Sequence, residues 1–208
     1  MPNWVKTQIC FRSEDKENLI NFINSITTET TNDTKTKKCF DFNKIIPEPQ
    51  TPQECPEKFI IHNEIEARSR CLVYDEKDPK RWFDWYNWHN AFWGTKWNAY
   101  YTTIHDIVYT DGKNRYEITV DFETAWSFPV PIFEKLIGMC LQKNISFITK
   151  YSEEQLSQYG GKIIITPERK EMIDFEPYSD EMEEVALELW GYSWKDYEES
   201  DEDEKEVN

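Results

Sequence analysis

The stretch from Trp82 to Asn98, WFDWYNWHNAFWGTKWN, constrains this chain more than any other, because it concentrates five of the nine tryptophans in seventeen residues. Aromatic side chains are the largest sources of buried apolar area a protein has, so a core is expected to gather around them. Trp82, Trp85, Tyr86, His89, Phe92 and Trp93 recur at three- and four-residue spacing, which predicts one face of a central helix. Asp78 and Pro79 supply an N-cap and a first-turn proline for it, and Gly94 supplies the residue that ends it. Thr95, Lys96, Trp97 and Asn98 then form a polar and aromatic corner.

The remaining elements follow in order. Asn3 to Arg12 is β-branched and aromatic enough for a first strand, and Ser13 is read as the cap of a helix that buries Leu19, Phe22, Ile23 and Ile26. Thr27 to Lys38 carries no apolar side chain until Cys39 and reads as a surface loop. Three prolines in Phe40 to Pro52 exclude a long helix there, with Ile45 and Ile46 docking on the core. Cys55 to Tyr74 reads as helix from Phe59, His62, Ile65 and Glu66, with Ile60, Ile61, Leu72 and Val73 equally compatible with short strands. Asp111-Gly112 between two β-branched runs, Ala99 to Tyr109 and Arg115 to Trp126, signals a hairpin. Pro129 and Pro131 open a helix to Lys143, and Ile145 to Tyr151 is a strand. Gly160-Gly161 is a break before a last strand, Lys162 to Pro167, and Glu181 to Trp190 is a terminal helix ended by Gly191.

The order β-α-β-β-α-β predicts an α+β ferredoxin-like antiparallel sheet, with a tryptophan-rich helical insertion at about 54–98 after the first helix and a C-terminal helix. The expected organisation is one domain over 1–195 and an acidic disordered tail over 196–208. Hydrophobic residues at 38% and charged residues at 31% suit a soluble globular protein, and a cytoplasmic location is expected from the lack of a long apolar run. Five cysteines without metal-site spacing imply neither a disulfide framework nor structural zinc.

Several segments together resemble the YubB-type ferredoxin-like domain family: Met1-Pro2-Asn3-Trp4, Phe42-Asn43-Lys44-Ile45-Ile46-Pro47-Glu48-Pro49, Trp93-Gly94-Thr95-Lys96-Trp97-Asn98, and Phe122-Glu123-Thr124-Ala125-Trp126 with Pro129-Val130-Pro131. The resemblance implies the same fold and a setting in phages and conjugative plasmids. It implies no catalytic residues.

The residues themselves carry no catalytic motif: no GxSxG, no HExxH and no phosphate loop. We therefore expect a non-enzyme without cofactor or metal. The charge is informative. Of the net −16, residues 176–208 hold −12, from 14 acids and two lysines, and the preceding 175 residues hold −4. Such a field repels nucleic acid and attracts a basic protein surface. The expected partner is a host nucleic-acid-binding defence effector, inhibited by phosphate mimicry as anti-CRISPR proteins do, with no direct nucleic-acid or membrane binding. The expected contacts are Glu181, Glu183, Glu184, Glu188, Glu198, Glu199, Asp201, Glu202, Asp203 and Glu204. The corner is expected to be architectural, bonding across to Asp121 or Glu123 with Lys96 as their partner. The alternative function is a small-ligand or active-site pocket between the insertion and the sheet, lined by Trp93, Lys96, Trp97, Asn98, Asp121 and Glu123.

Overall fold

In the first strand, β1 (Trp4–Ser13), alternate residues are buried, and Val5, Thr7, Ile9 and Phe11 are all fully enclosed. Period-two burial of this kind requires a packed layer on one side of a sheet. The computed structural model describes residues 3–32, 35–63, 66–67, 73–74, 82–154 and 159–192. In it β1 lies between β9 (Arg115–Ala125) and β10 (Ser146–Glu153), antiparallel to both. On the far side of β9 lies β7 (Tyr100–Ile104), with β8 (Val108–Thr110) pairing the start of β9. The order β10-β1-β9-β7 is that of the ferredoxin-like split unit, and β11 (Gly160–Ile165) and β12 (Lys170–Asp174) extend it beyond β10.

Two helices cover the inner face. In α1 (Lys16–Ser25), Phe22 meets Phe11 edge-on with ring centroids 5.5 Å apart, and in α3 (Val130–Gln142), Phe133 meets Phe147. Between them in sequence comes α2 (Trp85–Phe92). The cap of α1 is Asp15, whose Oδ1 accepts from Asn18 N at 3.0 Å. Ser13, expected to cap, instead accepts from Asp15 N and steadies the turn before it.

The threonine-rich segment is a correction. It forms a hairpin, β2 (Thr27–Asn32) with β3 (Lys35–Phe40), in which Thr27 opposes Phe40 and Glu29 opposes Lys38. Threonine's β-branching suits a pleated strand without any apolar alternation. The hairpin is anchored at its base, where buried Thr27 donates to Ile23 O and Phe40 enters the core.

The insertion also departs from expectation. Glu57–Phe59 is a 3₁₀ turn leading into β4 (Ile60–Ile61), so the helix expected over Cys55 to Tyr74 does not form there. β5 (Val73–Tyr74) and β4 flank β6 (Trp82–Phe83) in a small antiparallel sheet. Trp82 and Phe83 are therefore buried through a strand. Asp78 and Pro79 lie outside the described residues, and the observed cap of α2 is Asp84, which accepts from Asn87 N and Nδ2. With the start moved to Trp85, the buried residues are Trp88, His89 and, just past the end, Trp93, while Tyr86 turns outward. Phe83, Trp88 and Trp93 belong to the same apolar cluster as Val5, Ile9 and Phe122, so insertion and sheet share one core.

Gly94 ends α2 at φ 76°, and a Cβ there would lie 2.6 Å from Pro131 Cδ, which leaves glycine as the residue that fits. The Gly160-Gly161 pair, expected as a break, sits inside β11. A Cβ on Gly161 would meet Ile173 O at 2.4 Å, so the pair permits close packing between strands. β12, with exposed alternate residues, was not foreseen. Finally α4 (Asp180–Trp190) crosses the outer face of the sheet over β10 and β11, with Met182 packed on Gly160 and Trp190 Nε1 donating to Ser152 O. Among the described residues no helix is long and apolar enough to cross a membrane.

Candidate protein-interaction surface

The corner that follows α2 is held by its own hydrogen bonds. Thr95 Oγ1, fully buried, donates to Ala125 O at 2.7 Å, and Ser127 Oγ donates to Gly94 O. Asn98 Oδ1 accepts from Phe42 N at 2.9 Å and Ala99 N at 2.8 Å, and its Nδ2 donates to Asp41 Oδ1 at 2.8 Å. Trp93 is 1% exposed and donates from Nε1 to Ile46 O. His89 stacks on Trp93 at 4.0 Å and bridges Lys96 O and Glu48 Oε1, both at 2.8 Å. These bonds tie the proline segment, the corner and the end of β9 together, as architecture.

The six residues of the expected pocket do not converge. Trp93 and Asn98 serve the core and the corner. Asp121 and Glu123 share the outer sheet face, as their two-residue spacing predicts, but Lys96 pairs with neither. Its Nζ lies 4.5 Å from the Trp97 ring centroid and 4.8 Å from that of Trp126. Trp97 lies 6.1 Å from Trp4 at the edge of the outer face, and the corner bonds to the backbone at the end of β9 rather than to either carboxylate: Asp121 is taken up by Gln8 and His105, and Glu123 stands opposite Lys6.

Across that outer face runs a polar row. Gln8 Nε2 donates to Asp121 Oδ1 at 3.0 Å, and His105 Nε2 approaches Asp121 Oδ2 at 2.6 Å. Strand pairing, rather than closeness in sequence, brings His105 to Asp121. Glu123 stands opposite Lys6 on β1. Burial pushes its carboxyl above the usual range, with Lys6 pulling it down and Glu154 adding to the rise. At the far end, Arg12 and Arg115 share the one carboxylate of Glu117, at 3.2 and 2.7 Å, beside a recess that Lys113, Lys143, Glu14, Asp15 and Glu168 also line. Among the described residues no group of three or more histidine, cysteine or acidic side chains is placed to hold a metal ion.

Helix α4 brings the acidic residues onto this face. Ser179 caps it by accepting from Met182 N, and Asp180, Glu181 and Glu183 occupy the first turn, where carboxylates are favoured. Met182, Val185, Ala186 and Leu189 are buried, leaving Glu181, Glu184 and Glu188 exposed on a stripe. At 1.5 Å per residue they follow one another at about 4.5 and 6 Å along the axis. Glu188 pairs with Lys150, while Glu181 and Glu184 line a groove of about 470 Å³ with Lys150, Lys162, Asp174 and Glu176. Glu183 is half-buried. Glu198, Glu199, Asp201, Glu202, Asp203 and Glu204 lie outside the described residues.

Sequence reasoning missed the exposed rings around the corner, Tyr100, Tyr101 and Trp126. One signal was present. Consecutive tyrosines in a strand face opposite ways, so exposing both requires an irregular strand, and β7 is irregular there: its register shifts between Tyr100 and Thr103.

A family model, described as the ferredoxin-like domain in Api92-like protein, matches residues 96–205. The match spans β7 to α4 and beyond, more than half of the chain, and leaves the central strand β1 ahead of it. No curated protein and no solved structure matches.

Proposed function

The chain belongs to the family of ferredoxin-like domains found in Api92-like proteins, and from that premise we propose that it is a non-catalytic interaction protein that binds a basic, nucleic-acid-binding protein. In the fuller form of the proposal it is carried by a phage or plasmid and inhibits a host defence effector, as anti-CRISPR proteins do, by offering carboxylates where phosphates would sit.

One observation carries the reading. An acidic helix lies across the outer sheet face, the surface with which ferredoxin-like RNA binders stack bases, and it belongs to a stretch, residues 176–208, whose net charge is −12, of which −6 falls after the helix in residues 191–208. Over β10 and β11 the helix presents a row of carboxylates where a stacking surface would otherwise lie. Their spacing of about 4.5 to 6 Å compares with roughly one phosphate per 3.4 Å along a nucleic-acid strand. Such an array attracts arginine and lysine surfaces and speeds association at low ionic strength.

The test is affinity capture from host lysate at low and high salt, using the full chain, a Glu181→Gln/Glu184→Gln variant and a chain ending at Tyr197. Glu188 is left in place because it holds Lys150. The proposal expects a nucleic-acid-binding protein recovered at low salt, reduced at high salt and weakened by either change. Recovery that is indifferent to salt and to both changes would refute the electrostatic mode.

A further inference from the structure

Where β1 begins, β9 ends and β7 starts, five aromatic residues form a continuous surface. Trp4 lies 5.6 Å from Tyr100, 6.0 Å from Tyr101 and 6.1 Å from Trp97 between ring centroids, and Lys96 bridges Trp97 to Trp126. Tyr101 is 65% exposed, Tyr100 51% and Trp126 45%. A contiguous exposed aromatic patch of this kind marks a binding surface more often than a bare one.

The backbone supports the same conclusion independently. Tyr101 has φ 45° and Trp126 φ 75°, left-handed conformations that side chains other than Asn and Asp adopt at a cost. Tyr101 meets Trp4 and Tyr100, and Trp126 meets Tyr86, yet both rings keep large exposed faces at the same corner, so burial within this chain repays only part of the strain. Strain of this sort gathers at sites that bind.

The chemistry around the rings selects the occupant. Lys96 already sits over two of them, at 4.5 and 4.8 Å, which shows that their faces accept a cation. Glu123 is the register partner of both Lys6 and Tyr100, and Glu154 is tied to Trp4 through its amide, so two carboxylates border the rings. Lys6 stands between Glu123 and the ring of Trp190, 5.2 Å from its centroid. The partly buried Glu123 carboxylate gains from any further positive charge brought beside it. A second copy of the chain is disfavoured, since each copy carries −16.

We propose that this aromatic corner is the anchor of the interface and receives arginine side chains of the basic partner, their guanidinium planes stacked on Tyr101 and Trp126 and their forks directed to Glu123 and Glu154. Arginine fits better than lysine because its planar, weakly hydrated head stacks on a ring and pairs with a carboxylate in two places. This rests on the reading of the chain as a binder of a basic protein, and adds where and by which side chain that partner is gripped.

The test is a titration of the full chain with a fluorescent hexa-arginine peptide, a hexa-lysine peptide of equal charge and a ten-residue oligothymidylate. The arginine peptide is expected to bind about tenfold tighter than the lysine peptide, because a guanidinium stacks flat on the rings and pairs with a carboxylate in two places where an ammonium does not. Tyr101→Asn with Trp126→Asn removes both rings while keeping a residue that tolerates the left-handed backbone. This pair of changes is expected to abolish the arginine preference, weakening the arginine peptide more than the lysine peptide, and to leave the melting temperature no lower than before. Glu181→Gln/Glu184→Gln is expected to weaken both peptides alike. Equal affinity for the two peptides, a preference that survives loss of the rings, tight oligothymidylate binding, or self-association abolished by the ring changes would each overturn the proposal. If the preference is absent while the α4 changes weaken both peptides, the corner falls and the acidic-surface reading stands. If neither peptide binds, both fall.

Discussion

Asn98→Ala separates a structural corner from a ligand site. The carboxamide makes three short bonds, accepting from Phe42 N and Ala99 N and donating to Asp41 Oδ1, all within 2.9 Å. Phe42 is 0% exposed, so truncation leaves its N–H without partner or water. Loss of an ordinary hydrogen bond costs about 1 kcal/mol, and a buried donor left unpaired costs about 1–3 kcal/mol. The Ala99 and Asp41 groups are half-buried and recover some hydration, so the sum is roughly 3 kcal/mol. For a chain of this size that corresponds to a fall in melting temperature of about 6–12 °C. Urea unfolding followed by tryptophan fluorescence, with the midpoint and slope compared at constant pH, reads it directly. Asn90→Ala serves as the control: its Nδ2 bonds only the Tyr86 carbonyl on an exposed face, and a change within about 0.5 kcal/mol is expected. A loss below about 1 kcal/mol for Asn98→Ala would refute the reasoning, because the three bonds would then not be holding the corner.

Two further outcomes follow from the sheet. Thr7 and Thr149 are fully buried on β1 and β10, and neither hydroxyl has a protein hydrogen-bond partner. Thr149→Val, which keeps the shape and removes the polar atom, is expected to raise stability by about 1 kcal/mol in the same unfolding assay, and a loss of that size would show the hydroxyl to be satisfied. For Glu123, burial raises the folded carboxyl above its ordinary value of 4.5. Its protonated form is favoured by folding, so this stabilising contribution is complete below the unfolded value and disappears as pH rises through the folded one. Glu123→Gln is accordingly expected to match the parent near pH 4 and to be more stable near pH 7, and the opposite trend in paired melts would contradict the assignment.

The parts of the fold most legible in the sequence were those in which local chemistry and burial agree. The alternation Ile118, Val120, Phe122 fixed the register of β9, Asp111-Gly112 marked the turn before it, and Pro129 and Gly191 bounded α3 and α4. What escaped was decided by distant partners. The β2–β3 hairpin has no apolar face of its own and is fixed by Phe40 and Thr27 at its base. Trp82 and Phe83 continue a helical pattern in sequence, yet pair with Ile61 and Ile60 as a strand. Gly160 and Gly161 looked like a break because only the neighbouring Met182, Tyr151 and Ile173 explain why a side chain is excluded.

The site divided in the same way. The two-residue spacing of Asp121 and Glu123 correctly put both on one face, and the periodicity of α4 correctly separated Met182, Val185, Ala186 and Leu189 from the carboxylates. The partners of those carboxylates were not legible. Asp121 meets Gln8 and His105 across two strand pairings, and Lys96 lies over tryptophan rings because the Gly94 turn directs it along the corner. The exposed Tyr100, Tyr101 and Trp126 emerge only from a strand irregularity and the left-handed backbones of Tyr101 and Trp126, which composition does not signal.

The most direct test of the central claim is competition. A nucleic-acid-binding protein captured by this chain is loaded with a fluorescent oligonucleotide, and the chain is titrated in while anisotropy is followed. The account predicts displacement of the oligonucleotide with one-to-one stoichiometry, weakened by salt and by Glu181→Gln/Glu184→Gln. A stable ternary complex, with the oligonucleotide still bound at saturating chain, would contradict it.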